Sequence, residues 1–265
     1  LLNTYVPAVT ESAAGEVWAG NFWWGGPGRL ENGRFVRPAA FDEKASPVFA
    51  LAPSSREGQV LLGNCEGVFF LDPSGAAPLY QPVPQAAGGV CALTVDQAGA
   101  IWGGFTQSGL VRISDGLARH YRQADGLASD AVTSLASDET GAIWIGTADR
   151  GISRFKDGRF VNLRMEHGLV DNVIGSILDD GCGYFWLGSN HGLQRVAKEE
   201  LNRCADGLIP AVTGKILDHG DGLPTSEFTG GLQAATCKTR DGRLWFASSK
   251  GLVCIDPSRI EINAR

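Results

Sequence analysis

The stretch Val132-Thr-Ser-Leu-Ala-Ser-Asp138, Glu139-Thr-Gly141, Ala142-Ile-Trp-Ile-Gly-Thr147, Gly151-Ile-Ser-Arg-Phe155, Lys156-Asp-Gly158 and Arg159-Phe-Val-Asn-Leu163 decides the fold. It reads as four short β-strands separated by Gly and Asp turns, an antiparallel sheet folded from consecutive hairpins. The same grammar recurs along the chain, most plainly as Gly-x-apolar-Trp-x-Gly/Ala. It appears as Gly15-Glu-Val-Trp18-Ala-Gly20, Gly99-Ala-Ile-Trp102-Gly-Gly104, Gly141-Ala-Ile-Trp144-Ile-Gly146, Gly183-Tyr-Phe-Trp186-Leu-Gly188 and Gly242-Arg-Leu-Trp245-Phe-Ala247. Gly58-Gln-Val-Leu61-Leu-Gly63 is a copy without the indole. The anchors Trp18, Leu61, Trp102, Trp144 and Trp186 lie 43, 41, 42 and 42 residues apart, and Trp245 follows after 59. A four-stranded unit at this period is the pattern of a β-propeller. The spacing predicts six blades at approximately 5–40, 46–86, 88–130, 131–170, 171–232 and 233–265, in one domain. An insertion at approximately 197–210 carries Lys198-Glu-Glu-Leu-Asn202, and its composition predicts a short helix. Stacked sheets bury both faces, so the second strand of a unit is apolar throughout, and all the anchor tryptophans are expected in the core.

Composition agrees with this reading and excludes others. With 43% hydrophobic residues and 36 Gly in 265 residues, the chain has a core to fill and many turns to make. A net charge of −6 without a basic cluster argues against nucleic acid, which binds through a positive stripe. No apolar run has the length of a membrane-spanning helix. Leu1-Leu2-Asn3-Thr4-Tyr5 lacks the basic and apolar segments of a signal peptide.

The unit Asp125-Gly-Leu, Ala131-Val-Thr-Ser-Leu, Asp138, Gly141-Ala-Ile-Trp-Ile-Gly-Thr147 and Gly151-Ile-Ser-Arg-Phe155 resembles the two-component regulator propeller repeat. The segments Asp221-Gly-Leu-Pro-Thr-Ser-Glu-Phe-Thr-Gly-Gly231, Arg240-Asp-Gly-Arg-Leu-Trp-Phe246 and Lys250-Gly-Leu-Val-Cys-Ile-Asp-Pro257 resemble the last blade of such sensors. The resemblance implies an all-β sensor region of a bacterial histidine kinase or hybrid two-component receptor, periplasmic or extracellular, acting without a cofactor. It implies downstream signalling domains as partners and a homodimer as the signalling form. That family commonly has seven blades, so the six units read either as a six-bladed ring or as part of a seven-bladed one.

Strands in a blade run up and down, so the loops between second and third strands open on one face. Those loops are Asn21-Phe-Trp-Trp24, Asn64-Cys-Glu66, Phe105-Thr-Gln107, Ala148-Asp-Arg150, Asn190-His191 and Ser248-Ser-Lys250. They predict a rim for a small polar ligand or glycan, with Trp23, Trp24 and Phe105 as platforms and Asn64, Glu66, Gln107, Asp149, Arg150, Asn190, His191 and Lys250 as polar contacts. Connectors between blades add Asp130, Asp171, Asn172, Glu227 and Phe228 to that face. An alternative is a propeller lyase or hydrolase using His191 with Glu66 and Asp149. Another is a platform for protein partners. No metal-type His or Cys spacing and no nucleophile-elbow motif occurs, and no metal site is expected.

Of six cysteines, Cys182 in a first-hairpin turn and Cys204 in the insertion open on the same face and are expected close enough to pair in an oxidising compartment. Cys65, Cys91 and Cys254 read as small buried residues. Closure of the ring is expected from Leu1–Tyr5 as the outer strand of the sixth blade, or from Arg259–Asn263 completing it.

Overall fold

The computed structural model describes residues 6–21, 26–41, 46–81, 88–228 and 235–260. The chain folds as a six-bladed β-propeller. Blade one holds β1 (Val9–Glu11), β2 (Val17–Ala19), β3 (Gly28–Glu31) and β4 (Arg34–Val36). Blade two holds β5 (Val48–Pro53), β6 (Val60–Asn64), β7 (Gly67–Asp72) and β8 (Gly75–Tyr80). Blade three holds β9 (Val90–Val95), β10 (Ile101–Phe105), β11 (Leu110–Ser114) and β12 (Leu117–Tyr121), and blade four β13 (Val132–Ser137), β14 (Ile143–Thr147), β15 (Ile152–Lys156) and β16 (Arg159–Leu163). Blade five holds β17 (Ser176–Asp179), β18 (Tyr184–Ser189), β19 (Gly192–Ala197) and β20 (Lys215–Leu217), with helix α1 (Lys198–Ala205) between the last two. Blade six shows β21 (Thr236–Lys238), β22 (Leu244–Ser248) and β23 (Gly251–Ile255) among the described residues. Every pairing within a blade is antiparallel and joins consecutive strands.

The anchor side chains explain the stacking. Trp18, Leu61, Trp102, Trp144 and Trp186 are fully or almost fully buried, each against the next blade. Trp102 packs on Val132, Ile143 and Ile145 of blade four, and its ring lies 5.1 Å from that of Phe155. Trp144 packs on Ile177, Phe185 and Leu187 of blade five, and Trp186 on Leu244, Phe246 and Val253 of blade six. Two residues beyond each anchor stands a glycine because the next inner strand leaves no room for a side chain. A Cβ on Gly104 would come within 2.4 Å of Val132 Cγ1, and one on Gly63 within 2.7 Å of Val90 Cγ1.

A carboxylate six residues before the indole completes the wedge in three blades. Asp96, Asp138 and Asp180 accept from the Nε1 of Trp102, Trp144 and Trp186 at 2.9, 2.8 and 3.4 Å. In blade one Ser12 holds that place, and Trp18 Nε1 is buried without a hydrogen-bond partner among the described residues.

Helix α1 fastens blade five to blade four. Arg154 of β15, buried, donates to Asn202 Oδ1 at 2.9 Å and to Asp206 at 2.5 Å. Lys198, also buried, reaches Glu139 at 2.5 Å and Asp179 at 3.2 Å. Desolvation disfavours the Lys198 ammonium, but these two carboxylates outweigh it and hold its pKa above the usual lysine value.

Three expectations change. Trp245 is only partly buried, unlike the other anchors, because no following blade packs on it among the described residues. The same face of blade six exposes Leu252, Cys237 and Cys254. Ala247 stands where the other blades need glycine. Among the described residues, an ion pair between exposed Arg240 and Glu11 links blade six to blade one. Second, Cys182 and Cys204 are both free: Cys204 lies on the buried face of α1 with Leu201, packed with Phe185, whereas Cys182 is exposed in its turn. Cys254 is exposed, not buried, and Cys65 likewise; Cys91 is buried, its thiol pushed up to about 12 by desolvation. Third, Arg259 ends a short 3-10 helix, Pro257–Arg259, rather than starting a strand. The closing segments 1–5 and 261–265 lie outside the described residues.

Candidate functional site

In blades two to six the loop between second and third strands ends on a glycine with positive φ. The residue before that glycine is exposed in blades two, four, five and six, whereas Ser108 of blade three is buried. At Gly151 φ is +78°, and a Cβ would lie 2.2 Å from Leu163 O of the fourth strand. At Gly251 nothing lies within 4 Å, in keeping with the three strands of blade six. Backbone bonds lace these loops to the connectors: Gly109 N donates to Asp130 O at 2.8 Å, Gly151 N to Asn172 O at 2.7 Å, and Ser249 N to Glu227 O at 3.2 Å. The rim is therefore a rigid frame carrying variable side chains.

The expected rim residues divide into three groups. Trp23 and Trp24 lie outside the described residues. Asn64 and Phe105 are buried and serve the fold. Asn64 Oδ1 accepts from Glu66 N at 2.8 Å and Gly67 N at 3.0 Å, which closes the turn. Phe105 ends β10 with its ring packed against Tyr80 and His120, so it is no platform. Phe228 is likewise buried, between blades five and six. The remaining residues, Glu66, Gln107, Asp149, Arg150, Asn190, His191 and Lys250, are exposed.

Two of these sit in defined surroundings. Glu66 hydrogen-bonds Ser46 and lines a cavity of about 230 Å³ with Phe41, Leu62 and Phe69, between blades one and two. His191 is held by Asp171, Nδ1 to Oδ2 at 2.8 Å. Its side chain is 71% exposed while that of Asp171 is 9% exposed, so a buried carboxylate orients a ring that faces solvent. Burial alone would raise the Asp171 pKa. The Val173 N–H and His191 overcome that and hold it below the usual carboxylate value. Asp149 and Arg150 meet within one loop at 3.7 Å. No hydrogen bond or ion pair among the described residues joins His191 to Glu66 or Asp149. They stand on blades five, two and four, and Asp171 is the carboxylate that serves His191. Among the described residues no cluster of His, Cys, Asp and Glu has the shape of a metal site, and no helix is long and apolar enough to cross a membrane.

A family profile described as two component regulator propeller matches residues 126–149. This stretch carries the two-component regulator propeller repeat. The matched stretch runs from the connector through the Asp138–Trp144 pair to the rim loop of blade four, and the other blades vary the same theme. Among solved structures, the extracellular domain of a hybrid two component system from B. thetaiotaomicron superposes with a TM-score of 0.79 at 18% identity, covering 97% of this chain and 34% of that one. The extracellular domain of a one component system from the same organism gives 0.54 at 17% identity, over 97% and 42%. Virginiamycin B lyase from Staphylococcus aureus gives 0.68 at 15% identity, over 97% and 86%. At these identities the likeness is one of fold. The chain spans less than half the length of the two B. thetaiotaomicron chains. No curated protein matches the sequence.

Proposed function

We propose that this chain is the extracytoplasmic ligand-sensing propeller of a bacterial two-component receptor, and that it takes a small polar ligand or an oligosaccharide at the loop rim. The observation that carries this is the contrast between an invariant frame and its loops. Among the described residues, loops laced to their connectors by backbone bonds present different exposed polar side chains on blades two to six, and one of these, His191, is oriented by a buried carboxylate. Fixed polar groups on a rigid scaffold are what ligand recognition requires. The repeat and the fold shared with extracellular receptor domains support the same reading, and the acidic chain argues against nucleic acid. In this reading the domain itself does no chemistry, and signalling domains elsewhere in the receptor, brought together in a homodimer, respond to the bound ligand.

The test is a thermal-shift screen against a panel of small polar compounds and oligosaccharides, followed by Glu66→Ala and His191→Ala. A ligand that raises the melting temperature and loses affinity in either variant supports the reading. A ligand indifferent to every rim substitution overturns it. The His191–Asp171 pair favours a second reading, a lyase in which His191 is the general base. Turnover of a bound ligand that disappears in His191→Ala would establish that reading instead.

A further inference from the structure

The residue immediately before the rim glycine is Glu66 in blade two, Ser108 in blade three, Arg150 in blade four, His191 in blade five and Lys250 in blade six. Three successive blades thus offer a nitrogen donor at the same register, while the one carboxylate in this described set stands on blade two. The chain is acidic overall, with a net charge of −6, so this arc does not reflect a general excess of base. Local carboxylates leave the arc free to bind. The Arg150 contact with Asp149 is a 3.7 Å approach through Nε between side chains each more than half exposed. Such a pair is weak in water. The Lys250 ammonium has no carboxylate partner among the described residues; the hydrogen bond at that residue is made by its backbone N–H to Ser248 Oγ at 3.3 Å. Asp171 engages His191 through Nδ1, and no hydrogen bond among the described residues occupies Nε2.

We infer that Arg150, His191 and Lys250 form one extended site for an acidic oligosaccharide. Its carboxylate or sulfate groups meet the guanidinium and the ammonium, and a hydroxyl between them meets His191 Nε2. The inference rests on the rim reading above and narrows it. Guanidinium binds carboxylate and sulfate through paired N–H donors, and lysine adds a point charge. Packed sheets lie about 10 Å apart, so a ligand that touches all three blades spans roughly 20 Å, more than one sugar ring. This favours an oligomer over a monosaccharide.

Isothermal titration of the intact chain uses three probes of equal length: a galacturonic-acid tetrasaccharide, a heparin-derived sulfated tetrasaccharide and neutral cellotetraose. At least one acidic probe is expected to bind and the neutral one not, with affinity falling as salt is added. Arg150→Ala and Lys250→Ala should each weaken binding about tenfold, and the double charge reversal R150E/K250E about a hundredfold or more. His191→Gln, which keeps a hydrogen-bonding side chain, should lose less than His191→Ala. Binding of the acidic probe that survives the double reversal overturns the inference, as does equal binding of cellotetraose or no binding of either acidic probe. The rim reading fails separately, when a ligand found in the thermal-shift screen binds without regard to Glu66, His191 or any other rim side chain.

Discussion

Replacing Asp138 with alanine tests the internal logic of a blade. Asp138 is buried, and its two oxygens accept from Trp144 Nε1 at 2.8 Å, Asn202 Nδ2 at 2.9 Å, Thr140 N at 2.8 Å, Thr140 Oγ1 at 2.7 Å and Ala142 N at 3.1 Å. The donors differ in what they lose. The Thr140 groups sit at an exposed turn where water can replace the carboxylate. Asn202 Nδ2 keeps a second acceptor, Lys198 O, at 3.1 Å. The Trp144 indole and the Ala142 N–H are fully buried and would be orphaned. An unsatisfied buried donor costs about 1–3 kcal/mol, and bonds to a charged acceptor contribute roughly 1.5–3 kcal/mol each before water takes their place. Two orphaned donors at about 2 kcal/mol each cost about 4 kcal/mol, which for a domain of this size lowers Tm by about 8–16 °C. Scanning calorimetry of Asp138→Ala beside Asp96→Ala and Asp180→Ala reads this directly. Asp138→Ala should be the most damaging, because Asp180 holds its indole at 3.4 Å and Asp96 lies outside the reach of α1. A shift under about 2 °C would refute the reasoning. The same carboxylate sets a pH dependence. Burial would raise its pKa, but the bonds from Trp144, Asn202, Thr140 and Ala142 lower it below the ordinary value. A depressed folded-state pKa gives stability that is present above the unfolded value, near about 4, and lost as pH falls through the folded one. Asp138→Asn keeps an acceptor for the indole and should lack this part of the acid destabilisation.

Gly104→Ala should cost about 1–3 kcal/mol through its clash with Val132, whereas Ala247→Gly, facing no following blade, should cost under about 1 kcal/mol; chemical denaturation compares them. Trp144→Ala should cost about 3–5 kcal/mol and Trp245→Ala, half-buried, roughly half as much in the same assay. Lys198→Ala should cost about 1–2 kcal/mol, because its amine is buried while Glu139 is mostly exposed and can be rehydrated. Gly151→Ala should lower Tm far more than Gly158→Ala: both have positive φ, but only the first places a Cβ on a backbone carbonyl.

The architecture was legible because one large flat residue marks each blade at a fixed period, and Leu61 fills the same buried place where the indole is absent. Trp245 misled because its neighbours in sequence repeat the motif while its neighbours in space do not. The signal was present in Ala247, since a glycine is required only where the next inner strand approaches. Rim residues were legible to the extent that turns obey backbone rules: Glu66, Arg150, His191 and Lys250 are exposed as the turn demands. Phe105 was misplaced because it is the last residue of β10, beside a register shift after Gly104, and its ring returns to the core. Asp171 was placed on the correct face, but its bond to His191 joins residues 20 positions apart, and no local pattern announces it. The Cys182–Cys204 expectation failed for a related reason, because topology places two loops on one face without saying that one cysteine sits on the inward face of a helix.

Hydrogen exchange with and without ligand tests the central claim most directly. Ligand binding should protect amides of the rim loops and their connectors, around 148–151, 171–173, 190–192 and 248–251, and leave the opposite turns at 139–141 and 180–183 unchanged. Protection centred on those opposite turns, or spread evenly over the blades with no rim component, would contradict a rim-binding propeller.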